Sequence, residues 1–170
     1  MSMQGAKNTE IFVGLIIQTE KTGDTSVRVK ILTQDGLKSF TATGAQKATA
    51  KLKGALQMFT LAEFSIIGHK IVGAHVINAH QNIVADIKRY FLACTICEVI
   101  AKLQHADVFN LTLAGFDMLS SPDLSTREIF AQYFTELIKI LGYDIEPDQD
   151  INSAFLYHLD IKIPNTKYFL

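Results

Sequence analysis

The stretch 27-VRVKILTQDGLKSFTAT-43 decides the fold class. Successive side chains of a strand point to opposite faces, so Val27, Val29 and Ile31 share one face while Arg28 and Lys30 share the other. Gln34-Asp35-Gly36 then supplies the Asp-Gly signal of a tight hairpin, and residues 37–43 form the return strand, which ends at Gly44.

The strand pattern extends in both directions from this hairpin. Residues 11–17 (IFVGLII) are a continuous β-branched run, as expected of a strand buried on both sides or curling in a barrel. Lys21-Thr22-Gly23-Asp24 reads as a turn, with Gly23 free to adopt positive φ. Residues 59–67 and 70–77 read as two more strands, split by Gly68-His69. Five short strands with a longer connection after the third follow the plan of an OB-fold barrel. An open five-stranded sheet or an SH3-like barrel fits the same pattern nearly as well.

Beyond residue 80 the apolar period becomes helical. Residues 82–104 carry a broad stripe that predicts one buried helix, from Ile83 through Phe91 and Ile100 to Leu103. Asp107 is positioned to cap a second helix running to Leu119. Ser125-Thr126-Arg127-Glu128 is a capping box for a third, which Gly142 ends. Strands and helices are therefore segregated, and the class is α+β. The expected organisation is a five-stranded OB-fold barrel over residues 1–80 and an α-helical domain over 81–170. An irregular tail from Asp144 onward is expected to wrap its apolar residues back onto the body.

Composition narrows the function classes. The chain has 170 residues, 48% of them hydrophobic, which is ample for a packed core. No apolar run reaches the ~18 residues that span a bilayer. The N-terminal MSMQGAKNTE lacks the apolar stretch of a signal peptide, and two cysteines make no disulfide framework, so a cytoplasmic setting is expected. The net charge of -1 conceals an asymmetry. Residues 1–80 hold nine Lys/Arg against five Asp/Glu, whereas residues 81–170 hold seven against twelve. A basic half beside an acidic half suggests a polyanionic partner for the first, although excesses of this size also arise by chance.

Chemical motifs are few. Cys94-x-x-Cys97 has no second ligand pair for a structural zinc, and both cysteines fall on the apolar helix face, where the thiol acts as a small hydrophobe. The five histidines are scattered without helical metal-ligand spacing. Gly44-Ala-Gln-Lys47 lacks the second glycine of a phosphate loop, G-x-S-x-G is absent, and no carboxylate pair stands out for acid/base work. Neither an enzyme, a metal site nor a cofactor is expected. What remains is basic: Arg28 and Lys30 on one strand face, with Lys38 able to join them across the hairpin, and Lys47, Lys51 and Lys53 in the connection after the third strand. Lys47 and Lys51 share one side of any helical turn, whereas Lys51 and Lys53 pair if the segment is extended. Such a patch can neutralise phosphates without reading sequence, or it can be an ordinary solvated cluster.

In order and spacing, the residues from about 10 to 147 resemble the bacterial recombination mediator family RecO. The match runs through Gly14-Leu-Ile-Ile-Gln-Thr, Thr22-Gly-Asp, Leu32-Thr33 and Asp35-Gly-Leu-Lys. It continues through Gly44-Ala-Gln-Lys47, Lys51-Leu-Lys-Gly54-Ala-Leu56, Phe59 and Leu141-Gly-Tyr143 with Pro147. The resemblance implies a DNA-binding OB-fold followed by a helical domain. It further implies binding of single- and double-stranded DNA, strand annealing, recombinase loading, and partnership with RecR and the single-stranded-DNA-binding protein, in a cytoplasmic, nucleoid-associated protein. Carried over by position, it points to Lys47, Lys51 and Lys53 as DNA contacts, with Arg28, Lys30 and Lys38 beside them. An adaptor whose barrel does not bind DNA is the alternative. The four-cysteine zinc module of many members has no counterpart here, since no cysteine follows Cys97.

Overall fold

Residues 8–45, 52–104 and 106–170 are described by a computed structural model of the chain. They divide into two compact units, one carrying the strands and the other the helices from His80 to Leu170.

The β-branched and aromatic segments of the first unit form β1 (Glu10–Thr22), β2 (Ser26–Thr33), β3 (Gly36–Ala42), β4 (Leu61–Ile67) and β5 (Lys70–Asn78). They close into a barrel in the order β1-β2-β3-β5-β4, with β4 returning to β1. All these neighbours whose register is defined run antiparallel except β3 and β5, which pair in parallel through Thr41 and Lys70. The arrangement is that of an OB-fold, and closure excludes both the open sheet and its unpaired edges. Alternation fills the interior: Ile16, Val29, Ile31, Phe40, Ala42, Phe64, Ile66 and Ile71 form one buried cluster. Each large side chain removed from water in this way contributes about 1.5–3 kcal/mol.

Two details of β1 place the barrel wall. Gly14 on β1 lies against the β2 side chains, and a Cβ there would stand 2.3 Å from the Ile31 side chain. Past it, a bulge between Ile16 and Gln18 resets the register, so Ile16 faces Ile31 and Gln18 faces Lys30. The expected start of the fourth strand at Phe59 is overturned here. Phe59 adopts left-handed backbone (φ 72°), its amide donates to the Ile16 carbonyl at 2.9 Å, and the Ile16 amide donates to the Thr60 carbonyl at 2.9 Å. This clasp on β1 and burial of the Phe59 ring, 1% exposed, offset a backbone cost of about 1–3 kcal/mol. The strand proper therefore begins at Leu61.

The helical unit departs from expectation in three places. The predicted helix over 82–104 is two, α1 (Gln81–Ala85) and α2 (Ile87–Leu103). Asp86 between them is extended, and its carboxylate accepts from the amides of Lys88 (2.9 Å) and Arg89 (3.1 Å). Aspartate is a poor interior helix residue and a strong N-cap, so the break falls on it. Asp107 does not cap the next helix but lies in a 3-10 turn, Ala106–Val108, ahead of α3 (Phe109–Ser120). Finally, the tail contains a helix, α5 (Ile151–Leu159), capped by Asp150.

Helix α4 (Thr126–Ile140) starts at the expected capping box, with the Ser125 amide donating to Glu128 at 2.8 Å and the Glu128 amide donating to Ser125 Oγ at 3.3 Å. The last residues wrap back as expected. Phe169 is buried beside Phe130, its carbonyl accepts from Thr126 Oγ1 at 2.7 Å, and Tyr168 stacks on Phe91.

Candidate nucleic-acid interface

Arg28 and Lys30 stand on the outward face of β2, because Val29 and Ile31 beside them are fully buried in the barrel interior. Their cross-strand partners on β1 are Glu20 and Gln18. The Arg28 guanidinium lies 4.0 Å from the Glu20 carboxylate, both well exposed, so each charge is partly screened by the other. An exposed pair of this kind contributes at most about 1 kcal/mol and gives way to a stronger anion. Lys30 makes no ion pair among the described residues.

Lys38 does not join that face. Phe40 and Ala42, two and four residues further along β3, are interior residues, and Lys38 shares their parity. Its ammonium lies over the Phe12 ring, 5.1 Å from the centroid, and 3.9 Å from Glu10. Phe12 in turn packs against Phe40 and Phe64. The aliphatic stem of Lys38 thus covers the aromatic end of the core while its charge reaches water.

Lys47 and Lys51 lie outside the described residues. Lys53 sits on a turn in which the amides of Ala55 and Leu56 both donate to the Leu52 carbonyl at 3.0 Å. Ala55, Leu56 and Phe59 are buried, which pins the described end of the connection to the barrel and leaves Lys53 exposed. Residues 52–59 form turns and bends, and the Lys47–Lys51 spacing on which the helical alternative rests lies outside the described residues. Among the described residues of 1–80, six Lys/Arg face five Asp/Glu. The basic excess of the first half is therefore concentrated in Lys7, Lys47 and Lys51.

Among the described residues, the titratable groups with resolved shifts lie in the helical unit and have structural causes. Burial pushes the Cys97 thiol well above its ordinary range, and the partly buried Cys94 thiol rises for the same reason. Burial also raises the Tyr133 phenol, which meets Thr112 Oγ1 at 3.1 Å and fits against Gly115. The Ser125 hydroxyl lowers the Glu128 carboxyl, and the Ser153 hydroxyl lowers Asp150. Among the described residues no three His, Cys, Asp or Glu side chains converge on a metal position.

Sequence reasoning passed over one organising cation. Arg89, with only 13% of its side chain exposed, donates through Nη1 to the carbonyls of Leu119 (2.6 Å) and Ser121 and through Nη2 to Leu124 (2.9 Å), with Asp86 3.8 Å from Nε. It satisfies the free carbonyls at the end of α3 and in the following loop. Its only sequence signal is a cation inside an otherwise apolar helical stripe.

Residues 9–76 match the family model described as Recombination protein O N terminal, over the span from β1 to near the end of β5. A protein named DNA repair protein RecO, from Leuconostoc mesenteroides subsp. mesenteroides, is 34% identical over 82 residues. That alignment covers 47% of this chain and 30% of the relative, so the chain spans about a third of the relative it matches. Among the described residues no helix is long and apolar enough to cross a membrane.

Proposed function

We infer that this chain, which belongs to the RecO family through its N-terminal barrel, is a DNA-binding mediator of recombinational repair. The observation that carries the reading is the coincidence of the family match, residues 9–76, with a closed OB-fold barrel. Outward cations on β2 and an exposed Lys53 beside a lysine-bearing connection support phosphate contacts at Arg28, Lys30, Lys47, Lys51 and Lys53. Lys38 is a weaker contact because its charge is shared with Glu10 and the Phe12 ring. Binding of single- and double-stranded DNA, annealing, and recombinase loading with RecR and the single-stranded-DNA-binding protein belong to the same proposal. The absence of a catalytic step belongs to it as well, in keeping with a sequence that places no nucleophile–base motif.

Titration of a fluorescent oligonucleotide at rising salt tests the reading. A Lys47/Lys51/Lys53→Ala variant is expected to weaken binding equally for all sequences and to flatten the dependence of log K on log salt by up to about three contacts. Parental affinity and slope in that variant would remove the lysines from the interface.

The adaptor reading rests on the near balance of charge among the described residues of 1–80, where Arg28 and Lys38 already meet Glu20 and Glu10. Recovery of RecR or the single-stranded-DNA-binding protein by a chain that binds no DNA at low salt would favour it.

A further inference from the structure

The C-terminal segment folds back through Phe155, Ile163 and Phe169, all buried, yet two large apolar side chains of the same segment stay outside. Helix α5 turns Ala154 and Phe155 inward, with Phe155 edge-on to Phe134 at 5.3 Å, and leaves Leu156 53% and Tyr157 80% exposed. A helix of this length is marginal alone, so its outer apolar side adds nothing to stability without a partner.

Tyr157 belongs to a cluster. The His158 imidazole stacks on the Tyr143 ring at 4.8 Å and meets the Tyr157 ring edge-on at 4.9 Å. Tyr143, also exposed, is held at the end of α4, where its amide donates to the Ile138 carbonyl at 3.1 Å. Single exposed apolar residues are ordinary, whereas adjoining ones held on packed elements mark a contact surface.

Charge decides what covers this surface. Residues 140–161 contain five carboxylates and no Lys or Arg. Asp150 is committed to the α5 cap through the Ser153 amide at 3.1 Å. Asp144, Glu146, Asp148 and Asp160 are exposed and make no ion pair among the described residues. Lys139, the cation that precedes the stretch, is paired with Glu136 at 2.9 Å. Such surroundings repel nucleic acid, an acidic peptide, an anionic lipid surface and a second copy of the same patch. They attract a cationic partner, and an open tyrosine ring accepts a Lys or Arg side chain as well.

We propose that the patch formed by Tyr143, Leu156, Tyr157 and His158 docks a basic segment of a partner protein. An apolar anchor of that segment sits on Leu156 and Tyr157, and its Lys or Arg side chains face the surrounding carboxylates. The docking site stands independently of the DNA-binding reading.

The test uses the full chain and three short labelled peptides: one with leucines at helical spacing and arginines between them, one with glutamates in place of the arginines, and one with serines in place of the leucines. The leucine–arginine peptide is expected to bind tightest, with an affinity that falls as salt rises. Leu156→Ser combined with Tyr157→Ser is expected to lower that affinity about 10-fold. Asp144→Asn combined with Glu146→Gln is expected to lower it about 3-fold and to weaken its salt dependence. Asp24→Asn with Glu63→Gln, two exposed carboxylates of the barrel unit, is expected to change neither. All these positions are exposed, so unchanged circular dichroism is expected. Parental affinity in the Leu156/Tyr157 variant would overturn the docking site, as would equal losses from the two paired neutralisations. Binding of the glutamate or serine peptide as tight as that of the leucine–arginine peptide would overturn it too, as would no binding of any peptide. A dimer in sedimentation velocity that the Leu156/Tyr157 variant dissolves would make the occupant a second copy and contradict the proposal.

Discussion

The barrel and the helical unit use charge in opposite ways. In the helical unit, polar side chains are turned on the chain's own backbone: Arg89 on the carbonyls after α3, Asp86, Ser125 and Asp150 on helix amides, Thr126 on the Phe169 carbonyl. In the barrel, the core is built from the alternating inward residues of the strands, and the outward cations Arg28 and Lys30 meet at most an exposed carboxylate across the strand. A guanidinium committed to several carbonyls is unavailable to a ligand, whereas a loosely paired surface cation can exchange its partner for a phosphate. The contrast directs the search for a DNA interface to the barrel even though the helical unit contains as many kinds of basic residue.

Removing Arg89 breaks this contrast most severely. Arg89→Ala leaves the carbonyls of Leu119, Ser121 and Leu124 without their donor, and a loss of about 3 kcal/mol is expected in urea unfolding. Arg89→Lys restores only part of it, because an ammonium cannot span the same fork. Next comes Gly14→Ala, whose methyl group meets Ile31 at 2.3 Å and is expected to cost about 2 kcal/mol, read as a lower urea midpoint with an unchanged slope.

A smaller effect, about 1 kcal/mol, is expected for Ser125→Ala at the start of α4. The same cap makes the helical unit acid-sensitive. The Ser125 hydroxyl and amide hold the Glu128 carboxyl below its ordinary value, as the Ser153 hydroxyl and amide hold Asp150. Their stabilisation is present above the unfolded carboxylate pKa and is lost as pH falls through the depressed folded values. A pH series should therefore show Glu128→Gln less sensitive to acid than the parent, and equal sensitivity would dismiss the cap as its source. The smallest stability change is expected for Glu20→Gln, within about 0.5 kcal/mol, since the Arg28 pair is exposed. Its DNA affinity should nevertheless rise a few-fold in the salt titration, because Arg28 then lacks a competing carboxylate.

Features fixed by local chemistry were legible in the sequence. The alternation of residues 27–32, the Asp35-Gly36 hairpin, the Ser125–Glu128 box and the terminal Gly142 each express a short-range rule, and each appears where expected. Features fixed by tertiary contact were not. Nothing local marks Phe59 for left-handed backbone; its clasp on Ile16, more than 40 residues earlier in the chain, does so. The caps at Asp86 and Asp150 were hidden, the first by the apolar stripe that runs past it and the second by the charged loop before it. For the candidate site, strand parity gave Arg28 and Lys30 their outward face. Parity also puts Lys38 with the core residues Phe40 and Ala42, a consequence hidden until the interior of β3 was defined.

The central claim is that the barrel carries the DNA contacts. Its most direct test is the affinity of the full chain for a fluorescent single strand across a range of salt, for the wild type and for Arg28/Lys30→Ala combined with Lys47/Lys51/Lys53→Ala. Tight binding at low salt with a negative log–log slope, weakened and flattened in the combined variant, is the predicted result. Absent binding at low salt, or a slope untouched by removing these cations, would contradict it.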